Sequence, residues 1–446
     1  MQGQLSELAA RVVQQAQKLG ASMSEAYLLN SKELSIEVRE QEVENLKLAE
    51  ERGLGLRVFK DGQMGFAYTS DLRWEAIEQT IAEAMANSRQ TTPDDGNCLP
   101  EPVKEYPALD TFDPQIRREA VEKKIELARA VEKIGRGMDP RIKITETAGY
   151  EDNEYEVAIC NSLGLRANHS GAYCGLYLVL VSQEGEDNQT GFAIQYRLRF
   201  SELDPRKVGE EAAEKAVRML GAKKISTATM PVIFDPYVTT SFVGVLSPAL
   251  SAESVQKGKS FFAGKVGKKV GGAISIIDDG ILENGISSFP FDGEGVPGRR
   301  KVLIENGTLN GYLYNTYTAK KDGVSSTGNG TRSSFATTPE VGTTNLFVKP
   351  GSTSPGDLMS GIKDGLYITE VMGMHTANPI SGDFSLGAAG IRIKDGRLDY
   401  PVRGVAVAGN LSHLLEAVEG VADDLTFYGS KGAPSICIGK MAISGS

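Results

Sequence analysis

Three histidines, His169, His375 and His413, set what metal chemistry this chain could support. Two imidazoles four apart on one helix, as in H-E-x-x-H, would face a single zinc ion, and no two of these three have that spacing. His413 and Glu416 are three apart and would share a helix face, which could offer two ligands or form an ordinary surface pair. His375 sits in Gly373-Met374-His375-Thr376-Ala377-Asn378-Pro379, a loop that could aim it toward a cavity near Asp383 or leave it in solvent. Carboxylates gather at Asp278-Asp279, Asp292-Gly293-Glu294 and Asp423-Asp424. Paired acids can divide acid and base work or hold a divalent cation, although turn and helix-end chemistry explains them more cheaply. The Gly-rich run Ser325 to Arg332, with Asn329 inside it, lacks the Gly-Lys-Ser/Thr ending of a phosphate-cradling loop. There is no Gly-x-Ser-x-Gly elbow and no Cys/His pairing. Cys98, Cys160, Cys174 and Cys437 form no C-x-x-C unit and read as small buried thiols of a reducing compartment.

The elements that must carry these residues fall into two textures. Leu5, Leu8, Ala9, Val12, Val13, Ala16 and Leu19 recur at helical spacing up to Gly20. Alternation then predicts strands around Leu34 to Val38 and Leu54 to Phe59, the latter turning at Asp61-Gly62 into Gly65 to Tyr68. A helix over about 73–88 closes this unit. Residues 90–114, with five prolines, read as a linker. A helix over about 115–134 follows, then strands at 141–147, 155–161, 173–181 and 190–200, and a helix that starts at Asp204-Pro205. The same order of elements twice over suggests an internal duplication. Beyond about residue 225 the chain turns to short strands punctuated by Gly, with turns at Asp279-Gly280, Asn306-Gly307 and Asp395-Gly396 and two interposed helices, over about 355–363 and from Asn410. The expectation is an α+β protein: an N-terminal domain over 1–225 built of helix-strands-helix units, then a mostly antiparallel, barrel-like or sandwich domain over 226–446.

With 446 residues there is chain for two or three cores. The 48 Lys+Arg against 58 Asp+Glu form no basic stripe, which argues against direct nucleic-acid binding. The longest nearly apolar run, Gly171 to Val181, is far short of the ~20 residues that span a bilayer. The N-terminus lacks the basic-then-apolar order of a signal peptide, and the expected location is cytoplasmic.

Several long motifs of the second half then occur in one characteristic order: Ser288-Phe289-Pro290-Phe291-Asp292-Gly293-Glu294-Gly295, Ser326-Thr327-Gly328-Asn329, Gly382-Asp383-Phe384-Ser385-Leu386-Gly387-Ala388-Ala389-Gly390, Pro401-Val402 and Ala408-Gly409-Asn410-Leu411. In these the chain resembles the TldD/TldE (PmbA) peptidase family, and Glu51 to Val58 resembles that family's entry into its first sheet. The resemblance implies a zinc peptidase assembled from two related subunits, of which the TldD type carries H-E-x-x-x-H on the helix after the strand that opens the second domain. Counted back without a gap from Ser260 to Gly267, those His, Glu and His positions fall on Val243, Gly244 and Pro248, none of which binds zinc. Active members also carry a Cys before a Gly-Lys-x-Gly-like element, where this chain has Tyr428 before Gly429-Ser430-Lys431-Gly432.

The resemblance thus implies the TldE/PmbA type: a non-catalytic subunit with no metal of its own, a zinc-bearing TldD-type partner, and an unfolded peptide as substrate. That branch is tied by name to peptide-antibiotic maturation and gyrase inhibitors. Asp292, Glu294, Asn329, His375, Asp383 and Asn410 are the expected cavity or peptide-contact residues. Two other readings stay open: a homodimeric peptide-binding scaffold, and an independent hydrolase working through His375, Asp383 or the Asp292/Glu294 pair.

Overall fold

In the computed structural model, which describes residues 2–445, the N-terminal half is one antiparallel six-stranded sheet in the order β3-β2-β1-β4-β5-β6. Its strands are β1 (Met23–Arg39), β2 (Glu42–Lys60), β3 (Gln63–Thr69), β4 (Ile142–Asn161), β5 (Arg166–Glu184) and β6 (Asp187–Arg197). Helices α1 (Gln2–Lys18) and α2 (Trp74–Ser88) flank the first three strands in sequence; α3 (Pro114–Arg118), α4 (Val121–Gly137) and α5 (Pro205–Val217) flank the second three. The two halves therefore repeat the order helix, three strands, helix, and they meet where β1 pairs antiparallel with β4.

Strand alternation gives the sheet two different faces. Ala26, Leu28, Leu34, Ile36 and Val38 of β1 are buried in the two cores shared with the helices. The odd-numbered Tyr27 and Leu29 point the other way, toward Phe291 and Phe335 of the second half. That second face is the one that builds the site described below.

Local signals fall short in three places. The runs 141–147 and 155–161 are a single 20-residue strand, because β1 offers a continuous template from Glu25 to Val38 that carries β4 through its polar middle. The helix expected over 115–134 is broken: Glu119 and Ala120 are extended, and Asp113 caps the short first piece while also accepting from the Phe200 N–H at 2.9 Å. The 90–114 segment is packed rather than free, with Asn161 Nδ2 donating to the Pro100 carbonyl at 2.8 Å and Tyr106 Oη to that of Gly295 at 2.9 Å.

In the C-terminal half, strands Ala228–Phe234, Asp364–Met372, Asp383–Lys394, Arg397–Asn410 and Ile436–Ser444 close into a five-stranded barrel. All pairs are antiparallel except that between Ala228–Phe234 and Asp364–Met372. A second sheet, centred on Ile276–Asp279 and Asn345–Val348, shares its core with the barrel through Ile276, Leu346 and Val348. The protein is α+β with a mostly antiparallel, barrel-containing C-terminal domain, as the alternation and turn pattern predicts. Among the described residues no helix is long and apolar enough to cross a membrane.

Candidate functional site

Where the odd face of the first sheet meets the C-terminal domain, four charged side chains are shut away from water. Arg57 Nε donates to Glu25 Oε1 at 3.0 Å and its Nη2 to Glu25 Oε2 at 2.7 Å, while the same Nη2 reaches Glu294 Oε1 at 3.1 Å. Arg332 Nη2 donates to Glu25, its Nε to the Gly293 carbonyl at 2.8 Å and its Nη1 to that of Thr337 at 2.8 Å. The side chains of Glu25, Glu294 and Arg332 are at most 1% exposed and that of Arg57 is 7% exposed. Two cations and two anions balance, which is the arrangement that makes such burial tolerable. The Arg332 guanidinium also lies 4.8 Å from the centre of the Tyr27 ring.

Asp292 and Glu294 thus belong to a seam between the domains. Glu294 Oε2 accepts from the Thr316 N–H at 2.7 Å. Asp292 accepts three backbone N–H groups, from Gly330 at 2.7 Å, Glu294 at 2.9 Å and Val296 at 3.0 Å. Burial, joined by the Glu294 carboxylate, outweighs those donors and pushes the Asp292 carboxyl up to about 7. Gly330 has to be glycine here: a Cβ would stand 2.8 Å from Glu294 Oε2 and 3.1 Å from Asp292 Oδ2. The third expected residue of this region, Asn329, is fully buried, with Nδ2 donating to Asp278 Oδ2 at 2.9 Å and to the Gly342 carbonyl at 2.8 Å.

A raised acid pKa in the fold means that the folded chain holds a proton which the unfolded chain releases near pH 4. Its contribution to stability is complete below that pH and is lost as pH rises to about 7. The urea midpoint should therefore decline across this window. Asp292→Asn should start lower, because the Gly330 N–H then meets an amide group, but should decline less steeply. Parallel profiles of the two proteins would contradict the assignment.

Beside the seam lies a cleft of about 320 Å³. Tyr27, Leu29, Tyr155, Val157 and His169 line it from the sheet, and Phe289, Phe291 and Arg332 from the C-terminal domain. His169 Nε2 is 3.0 Å from Thr111 Oγ1, and its ring packs against Tyr155, Phe289 and Phe291. Burial pushes its pKa down to about 4, so the ring is neutral at pH 7.

The remaining expected residues lie apart from the seam. Asp383 and Asn410 are neighbours on adjacent barrel strands, where Asn410 Nδ2 donates to Asp383 Oδ1 at 2.8 Å and Asn410 Oδ1 caps the helix that follows by accepting from the Ser412 N–H at 2.9 Å. His375 stands exposed on the short turn Met374–Thr376, so His375→Ala should leave any activity of an assembled complex within a few-fold. A ~100-fold loss in peptide cleavage, about 2.7 kcal/mol of barrier, would move it into the reacting centre.

Val243 and Gly244 lie on α6 (Pro236–Leu246), directly after the strand Ala228–Phe234, and Pro248 on the turn Ser247–Leu250. Val243 is buried in the main core, and a Cβ on Gly244 would stand 3.9 Å from the Lys431 stem. None of the three has a donor atom suited to zinc, and among the described residues no three His, Cys, Asp or Glu side chains are placed to hold a metal.

The expected cavity residues do not include Glu25, Arg57, Arg332 or His169. Glu25 and Arg57 had a signal: Arg57 is a lone charge inside the otherwise apolar run Leu54 to Phe59, and Glu25 directly precedes the apolar run Ala26 to Leu29. Arg332 and His169 had none, since only the docking of the two domains encloses them.

Comparison with known proteins covers the whole of this architecture. Profiles of the PmbA/TldA metallopeptidase match in succession: domain 1 at residues 24–88, the central domain at 115–220 and the C-terminal domain at 227–445. A metalloprotease PmbA homolog of Haemophilus influenzae is 32% identical, covering 99% of this chain and 96% of its own. The chain belongs to the PmbA/TldD metallopeptidase family. Within that family, the metalloprotease PmbA of Escherichia coli is 29% identical over 92% of this chain and 90% of its own. The solved structure of TldE from Thermococcus kodakarensis is 25% identical with a TM-score of 0.91, covering 98% of this chain and 100% of its own.

Proposed function

We propose that this family member is the non-catalytic subunit of a two-chain TldD/TldE-type zinc peptidase, completing with a TldD-type partner a cavity that receives unfolded peptide. The proposed setting is the cytoplasm, and the zinc belongs to the partner. The observation that carries this reading is α6. The resemblance puts the partner's metal-binding helix at this place in the fold, yet here the corresponding positions are Val243, Gly244 and Pro248, with the Val243 side chain turned into the core. Zinc does not fit this donor set, and no catalytic step is assigned to the chain through it. The seam and its cleft are meanwhile fully built, which suits a subunit whose contribution is binding and enclosure.

Elemental analysis tests this. After dialysis the chain alone should hold no stoichiometric zinc, while its complex with a TldD-type chain should hold about one zinc per pair. About one zinc per isolated chain would overturn the proposal.

A further inference from the structure

The cleft opens onto a bare stretch of the first sheet. On that face Ser31 is in register with Glu51 and Tyr155, Glu33 with Ala49 and Asn153, and Ser35 with Lys47 and Glu151. Three tyrosines lie along the sheet over glycines of the neighbouring strand. A Cβ on Gly171 would stand 2.2 Å from Tyr155, one on Gly149 2.4 Å from Tyr177, and one on Gly175 2.6 Å from Tyr196. The rings therefore form a floor, continuous with the aromatic wall of the cleft.

The charge of this floor is one-sided. Along the middle of these strands the ion pairs Lys32–Glu50, Arg117–Glu154 and Lys124–Asp152 use the even-numbered strand positions 32, 50, 152 and 154, the face that carries the helices, while Arg39 at the end of β1 pairs with Glu44. On the odd face Glu33 takes a hydrogen bond from Asn153 Nδ2 at 3.1 Å and Glu151 one from Tyr196 Oη, both neutral donors. Glu51 is exposed at the rim and Glu37 faces Tyr177. Among the described residues none of these four carboxylates is in an ion pair. Of the cations that share the face, Lys47 lies on β2 and Arg39, at the end of β1, is paired with Glu44, while the Arg332 guanidinium is committed to Glu25 and two carbonyls. His169 is neutral and adds no positive charge.

We propose that this cleft and floor bind an extended peptide segment in which an aromatic or large aliphatic residue is flanked by Lys or Arg, the apolar side chain entering the cleft and the cations lying along Glu33, Glu37, Glu51 and Glu151. The inference rests on the peptide-handling reading above and gives it a substrate class. Aromatic walls reward ring burial, flat tyrosines accept the stems of Lys and Arg, and unpaired carboxylates select the sign of the charge.

The test is fluorescence anisotropy of the isolated chain with a labelled Gly/Ser-rich decapeptide carrying Lys-Phe-Lys. Changing Phe to Ser or both Lys to Glu in the peptide should each weaken binding about tenfold, and added salt should weaken it further. Phe289→Ala and the exposed pair Glu33→Gln/Glu51→Gln should weaken it about fivefold or more. Equal binding of all three peptides, no saturable binding, or indifference to the Glu33→Gln/Glu51→Gln pair would overturn the inference; the peptide changes need no refolded variant. Failure here with intact chelator-sensitive cleavage by the mixed subunits would leave the proposed function standing. Selective binding without such cleavage would do the reverse.

Discussion

Arg57→Met is expected to lower the stability of the protein by about 3–5 kcal/mol, the cost of leaving a buried charge uncompensated. Arg57 joins Glu25 of the first sheet to Glu294 of the C-terminal domain through three hydrogen bonds. Without it, Glu294 keeps only the Thr316 N–H, and Glu25 must share Arg332 alone. Urea unfolding should show the loss, and Arg57→Met/Glu294→Gln should recover part of it, because a neutral amide needs no counter-ion. A loss below ~1 kcal/mol, the value for a solvated pair, would mean that water reaches the seam and that the two domains are less firmly joined than this geometry implies.

The reach of the sequence follows from how far each signal extends along the chain. Periodicity identifies α1, and Asp204-Pro205 marks the start of α5 because caps act within a single turn. The Asp61-Gly62 hairpin holds for the same reason, with Asp61 and Gly62 both at positive φ. The unity of β4 was not legible, since its polar middle is held by pairing with β1 more than a hundred residues away. Of the site, the motif around Asp292 and Glu294 drew attention to the correct loop. Its role was hidden, because neither residue shows in the sequence that Arg57 and Arg332 will neutralise this region. The pairing of Asp383 with Asn410 was equally hidden, as it depends on barrel register. Cys160, Cys174 and Cys437 are buried, as small apolar residues are, with thiols pushed up by burial.

The second large effect concerns cleavage and tests the proposed role most directly. A chain without zinc ligands on α6 has no means of activating water there, whereas a subunit that closes a cavity should raise the activity of the partner that has them. The measurement compares this chain, a TldD-type chain and their mixture on one flexible peptide, each with and without a chelator. The account predicts no cleavage by this chain alone and, in the mixture, chelator-sensitive cleavage exceeding that of either chain, with folded proteins resistant. Robust cleavage by this chain alone that survives the chelator would contradict it.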